Sequence, residues 1–328
     1  MDRLLDHDVS ILSRRDDSLA MAAVIAVDCP PDRLMTEQDD MTQHAADALI
    51  AAVQRTAAPV CVGIDPVLDR LPVPVRNAGT KDAFAAIRTF VLGVLDAVAL
   101  HAPVVKFQSA CFERYGAAGV ELLHEMIGVA HERGLITILD AKRGDIGITA
   151  EHYAAAAFDG DTPADWLTIN AYFGEDGITP FLRDGHGVFA LVRTSNPGGD
   201  SIQARKLADG RSVAESIADM LAGLGVDHVG ESGYSSIGAV VGATKPDDSV
   251  SLRARMPRQI LLVPGFGAQG GGAEDVRPLF DAQGLGAMIT ASRSVIYAFE
   301  PDDRDWTTGV RDAAERLADE LGRVAGLR

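Results

Sequence analysis

Eight short apolar runs interrupt this chain, at residues 60–64, 104–107, 135–139, 166–169, 188–192, 237–241, 260–263 and 287–289. They are apolar almost throughout, broken only by Lys106, Thr137 and Thr168, instead of alternating with polar residues, the pattern of strands buried on both faces. Most lead through a polar or glycine-containing turn into a helix-like stretch. The clearest is KDAFAAIRTFVLGVLDAVALH, in which Phe84, Ile87, Val91, Val94, Leu95 and Val98 mark one face. Residues 120–132, 212–223, 276–282 and 312–325 also fit helices, and Ala45, Ala46, Leu49, Ile50 and Val53 give helical spacing ahead of the first run. Apolar strands alternating with amphipathic helices require a parallel sheet covered by helices. Eight of them over roughly 280 residues predict an α/β protein of the (β/α)8 TIM-barrel class rather than an open sheet.

The barrel domain is expected to span residues 41–328, with an insertion around 200–256, where the chain is longer than one connection needs. Residues 1–40 stand apart, with an apolar patch at 21–27 between SRRDDS and DCPPDRLMTEQDD. They read as an N-terminal extension, poorly ordered or loosely docked, or as an over-long start, since the regular pattern begins near Met41. The N-terminus carries charges of both signs, unlike a secretory signal, and no apolar run reaches membrane-spanning length. A formal net charge of −17 opposes a nucleic-acid or anionic-membrane partner, because both need a positive footprint. Cys29, Cys61 and Cys111 lack metal-ligand spacing and read as inert thiols in a reducing compartment, so a cytoplasmic protein is expected. His101, His124 and His131 fall on helices without a ligand partner at spacing, and neither a metal triad nor a G-x-S-x-G nucleophile is present.

In such a barrel the chemistry sits where the strands end. The first run ends at Asp65, the second at Lys106, and the third drives straight into ILDAKRGDIG, which supplies Asp140 and Lys142, with Asp145 further on. Asp140 and Lys142 are two residues apart, so both side chains point into the mouth. Lysines and carboxylates alternating there keep one another charged, and such an array can donate a proton from Lys142. Asp140 and Lys142 alone would be a rim salt bridge of little energetic value. Lys106 and Asp65 at neighbouring strand ends tip the balance towards function. The fifth run ends in RTSNPGG, with Ser195 and Asn196. After the seventh, PGFGAQGGG offers unobstructed backbone N–H groups, and Arg293 follows the eighth; barrels often hold a phosphate at these two loops. Gln269 is placed to close over that phosphate as part of a lid.

DAKRGDIGIT resembles the D-x-K-x-x-D-I-x-x-T signature of the orotidine 5′-phosphate decarboxylases, and CVGIDP, VVKFQSACFERYG, RTSNPGG, VPGFGAQGG and ASRSVIYA follow in the family's order. FQSACFERYG and DAKRGDIG look like the longer bacterial, actinobacterial-type subgroup. The resemblance implies decarboxylation of orotidine 5′-phosphate to UMP, with no cofactor and no metal, by a homodimer with two shared active sites. It implies that Lys142 protonates the ring carbon and that Asp140 presses on the substrate carboxylate while holding Lys142 and Lys106. Asp145 and Thr149 would enter the neighbouring subunit's site. Asp65 and Lys106 would hold the ribose hydroxyls and Ser195 the pyrimidine. Gln269 and Arg293 would take the phosphate, with Pro264 opening the lid. Ser292 stands where many members have glycine, and its N–H is still expected to serve as a phosphate donor. Two alternatives remain open at this level: a metal-dependent sugar-phosphate relative of the same superfamily, and a non-catalytic phosphate-binding barrel.

Overall fold

A computed structural model describes residues 43–78, 83–243, 246–267 and 272–328. The expectations for residues 1–40, including Cys29, and for Gln269 lie outside the described residues. All eight apolar runs form strands: β1 (Val60–Ile64), β2 (Val104–Gln108), β3 (Ile136–Arg143), β4 (Trp166–Ile169), β5 (Gly187–Arg193), β6 (Ser235–Val241), β7 (Gln259–Pro264) and β8 (Ala287–Ala291). Each pairs in parallel with the next, and β8 returns to β1 through Ile289 opposite Val60, closing the (β/α)8 barrel. β2, β3, β7 and β8 extend past the C-terminal ends of their apolar runs, and Gln108, Asp140, Lys142, Pro264 and Thr290 among the added residues reach the mouth.

The period-2 alternation of a strand sorts the core into two parts. Val60, Val62, Ile64, Val105, Phe107, Leu167 and Ile169 pack outward against the helices. Cys61, Val104, Ile138, Trp166, Phe189, Ile260 and Met288 fill the interior, with Trp166 and Phe189 stacked at 4.5 Å. The helix Ala45–Thr56 joins this inner cluster through Ala45, Ala46, Leu49, Ile50 and Val53, the face marked by its spacing, and so plugs the floor of the barrel. Above that floor the interior turns polar.

The outer layer follows the same periodicity. Ala83–Val98 buries Ile87, Phe90, Val91, Val94, Leu95 and Val98, and Phe90 stacks on Trp306 of the final helix, Trp306–Ala325, at 5.1 Å. The helix expected at 276–282 is displaced: one turn, Ala273–Val276, passes into a 3-10 turn at Arg277–Leu279. Pro278 supplies no N–H and clashes with the preceding turn, so the helix cannot continue through it. Gly147–Phe158 and Pro246–Arg255 are helices without a sequence counterpart above, the first too alanine-rich and the second too polar to mark a face. His131 is bound to Asp165 and Thr137 at 3.0 and 3.1 Å, tying the starts of β3 and β4 together at the end remote from the mouth. Among the described residues, no helix is long and apolar enough to cross a membrane.

Candidate active site

Because all eight strands run the same way, their C-terminal ends share one rim, and a cavity of about 430 Å³ opens there. It is lined by Asp65, Lys106, Asp140, Lys142, Ser195, Pro264, Ser292 and Arg293, all named from the sequence, and by Gln108, Thr168, Asn196 and Thr290 among others. Its size suits one nucleotide-sized ligand.

Asp140 is the hub. Lys106 Nζ donates to its Oδ2 at 2.7 Å and Lys142 Nζ to its Oδ1 at 2.5 Å. Thr168 Oγ1 donates to Oδ1 at 2.9 Å, and Gln108 Nε2 reaches Oδ2 at 3.3 Å. The carboxylate is thus satisfied by four side chains from three strands at once, and its side chain is only 8% exposed. Burial by itself would raise its pKa, but the adjoining Lys106 and Lys142 charges overcome that and hold the carboxyl down at about 2. Lys106 is equally buried. Desolvation opposes its charge, yet Asp140 and then Asp65 outweigh desolvation and raise its pKa, so the ammonium is kept. Cys61 lies beneath, where burial pushes its thiol up to about 12 despite Lys106, so it is neutral and inert. Cys111 is half-buried and free.

The sign of this coupling fixes a pH dependence. The folded Asp140 pKa lies below its unfolded value of about 3.9, so the stability it confers is complete above that pH and is lost as pH falls towards 2. Lys106 is shifted upward, so its contribution is present below its unfolded value of about 10.4 and is lost only as pH rises beyond it. The stability difference between the wild type and Asp140→Asn, read from denaturant midpoints, should therefore shrink as pH falls from about 5 towards 2, where Asp140 is protonated. A difference that held its full size in acid would show that the fold does not keep Asp140 ionised.

Lys142 reaches Asp140 by an unexpected backbone. The β3–β4 pairing shifts register between Leu139 and Arg143, and Lys142 takes φ +48°, which is disfavoured for a side-chain-bearing residue. Its N–H is held by Thr168 Oγ1 at 3.0 Å. Such a conformation costs about 1–3 kcal/mol and persists only where the surroundings enforce it. Here Thr168 holds both the backbone of Lys142 and the carboxylate it pairs with.

Asp65 closes another side. Its backbone carbonyl accepts from Tyr297 Oη at 2.8 Å, while its Oδ1 is buried with no hydrogen-bond partner. Buried acceptors without partners are uncommon, and in a cavity they mark where a ligand hydroxyl or amide can bind. Arg293 begins the short helix Arg293–Ile296 after β8 and is exposed at the rim. Ser292 lines the cavity beside it. Gly63 makes room for that serine: a Cβ at 63 would stand 1.9 Å from Ser292 Oγ. Gly63→Ala should consequently lower kcat/KM by about tenfold or more through displacement of the β8 end, and adding Ser292→Gly should recover most of it. Failure of the second change to help would show that Gly63 acts some other way.

Asp145 and Thr149 do not join this cavity. Asp145 Oδ1 accepts from the Ile146 N–H at 2.9 Å, and Thr149 is exposed on Gly147–Phe158. Gln108, Thr168 and Thr290 were missed. Each sits two residues from an interior-facing one (Lys106, Trp166, Met288), so strand parity was the available signal.

A closed parallel barrel whose strand ends converge on a polar, charged cavity defines a (β/α)8-barrel enzyme. Residues 58–304 match the model of the orotidine 5′-phosphate decarboxylase / HUMPS family. The chain belongs to that family. It is 42% identical over 297 residues to an orotidine 5′-phosphate decarboxylase of Rhodopirellula baltica, covering 84% of this chain and 98% of the relative. It is 40% identical to one of Deinococcus radiodurans, covering 88% of this chain and all of the relative. The solved OMP decarboxylase of Leishmania donovani superposes with a TM-score of 0.71 at 31% identity, over 87% of this chain and 99% of that one.

Proposed function

We propose that this cavity converts orotidine 5′-phosphate to UMP and carbon dioxide without a cofactor, in a cytoplasmic homodimer. The observation that carries this is the Asp140 carboxylate clasped by Lys106 and Lys142 in a cavity that also holds Arg293. The substrate carboxylate sits against Asp140. The ring C–C bond breaks, its electron pair stays on the ring carbon, and carbon dioxide departs. That carbanion is poorly delocalised, so a fixed cation beside it does most to lower the barrier. Lys142 is that cation, and its Nζ proton forms the new C–H bond; the amine then regains a proton from solvent. Its half-exposed side chain, 47% accessible, permits that exchange.

Asp140 is kept ionised by its lysines, so it cannot yield by protonation when a second carboxylate approaches. The repulsion must be offset by binding energy gathered elsewhere. Arg293, the N–H of Ser292 and Gln269 take the phosphate, and Pro264 opens the lid, followed by Gly265 and Gly267 at φ +98° and +67°, backbone that favours glycine. Asp65 and Lys106 bind the ribose hydroxyls and Ser195 the pyrimidine. Asp145 and Thr149 complete the site of the partner subunit. In support, Ile146 and Ile148 beside them are 55% and 69% exposed, and Tyr172 and Phe173 beyond β4 are 79% and 49% exposed. Apolar groups so placed are suited to burial against a second copy. No nucleic acid or membrane takes part. The test is loss of substrate absorbance on incubating purified protein with orotidine 5′-phosphate, with UMP identified as product; no change in absorbance rejects the assignment.

A further inference from the structure

Behind the Ser195 wall of the cavity lies a charge cluster that touches no expected ligand position. Arg193 ends β5 and is 3% exposed, although arginine is rarely buried without a partner. Its Nε donates to Asp248 Oδ2 and one terminal nitrogen to Asp200 Oδ1, both at 2.7 Å. Asp200 opens the turn Asp200–Gln203, and Asp248 belongs to Pro246–Arg255, the helix after β6. One guanidinium therefore joins two segments on either side of the RTSNPGG loop. Gln203 adds a second tie: its Oε1 accepts from the Thr194 N–H at 2.9 Å, and its Nε2 donates to Thr194 Oγ1 at 2.9 Å. Thr194 Oγ1 in turn donates to Asn196 Oδ1 at 2.7 Å. On the far side, Gly242 at the end of β6 lets Ser195 approach so closely that a Cβ there would lie 3.0 Å from the Ser195 backbone.

We infer that Arg193 is a positioning residue for recognition of the base. Through Asp200, Asp248 and the Gln203–Thr194 pair, it sets where Ser195 stands in the cavity. The inference rests on the function proposed above, in which Ser195 meets the pyrimidine. Loops are the least exact places for site residues unless a supporting shell locks them, and a planar fork bonded to two carboxylates supplies such a lock. Lysine cannot replace it, because a single ammonium lacks the fixed divergence of Nε and the terminal nitrogens.

The test is a double-mutant cycle between Arg193→Lys and Ser195→Ala, with ribose 5-phosphate as a ligand that lacks the base. Arg193→Lys is expected to lower kcat/KM for orotidine 5′-phosphate by about 10- to 100-fold, the scale of an ångström-level misplacement. It should leave the inhibition constant of ribose 5-phosphate within about twofold. In the Ser195→Ala background the same change should add little, because the group it positions is gone. Asp248→Asn, at a carboxylate that is 47% exposed, keeps the fold safer and should show the same base-selective loss at about 3- to 10-fold; it decides the matter if Arg193→Lys does not fold. A loss shared equally by ribose 5-phosphate, or carried in full on top of Ser195→Ala, would reduce Arg193 to a structural brace and overturn the inference. Wild-type protein inactive on orotidine 5′-phosphate would instead indict the proposed function.

Discussion

Replacing Lys142 by alanine is expected to abolish decarboxylation, by about 10⁴-fold or more, while UMP still binds. Two roles vanish together: the cation beside the forming carbanion and the proton that ends the reaction, and each is of a kind worth orders of magnitude. The fold should persist. Lys142 is half-exposed, and Asp140 would keep Lys106 at 2.7 Å, Thr168 at 2.9 Å and Gln108 at 3.3 Å, so no buried charge is stranded. Relief of the φ +48° strain is not expected, since alanine tolerates that region no better. UMP lacks the carboxylate that Asp140 would repel, and the phosphate and ribose contacts proposed above do not involve Lys142, so calorimetry should return an affinity within about tenfold of wild type. Turnover surviving in the variant would remove Lys142 from the role of acid. Loss of UMP binding alongside activity would move it from chemistry to binding. The same experiment separates an enzyme from a phosphate-binding barrel, which would depend on Arg293 and tolerate the loss of Lys142.

What could be read from the chain alone follows from how each interaction is encoded. The strands were legible because a barrel strand is buried on both faces, so its apolar run is continuous and short. Asp140 and Lys142 were legible because parity over two residues is local. The route by which Lys142 arrives was not: its left-handed backbone and the register shift arise from pairing with β4, whose Thr168 lies 26 residues further on. The same holds for Arg193 and Asp248, which are 55 residues apart and meet only because β5 and β6 are neighbours in the closed sheet. His131 shows the converse. At sequence level it had no partner, and the fold supplies Asp165 from the next strand's approach, 34 residues away. The helix at 273–276 was misplaced because apolar spacing across Val276–Ala282 outweighed Pro278, although the proline's missing donor is the stronger constraint.

The second large effect concerns the residues that the cavity does not contain. If Asp145 serves the partner subunit's charge array as proposed, Asp145→Ala should by itself cost about 10²–10³-fold, even though Asp145 lies outside the cavity of its own chain. Within one subunit that combination has no cause, because Asp145 accepts the N–H of its neighbour Ile146 and stands outside the cavity. Across a two-fold axis it does: the segment from Asp145 to Thr149, which exposes Ile146 and Ile148 as Tyr172 and Phe173 are exposed after β4, would carry Asp145 into the neighbour's mouth. Mixing inactive Asp145→Ala and Lys142→Ala proteins then has a definite outcome. In each hybrid dimer one site pairs an intact Lys142 with an intact Asp145, and the other has neither. Random reassociation in equal amounts makes half the dimers hybrid, so about a quarter of all sites should be whole, and activity should recover to about a quarter of wild type. Differently tagged subunits isolated together would establish that hybrids formed. Hybrids without activity would place both residues in the service of a single chain and dissolve the shared site, whereas recovery near a quarter requires that each cavity borrow its second aspartate from the other subunit.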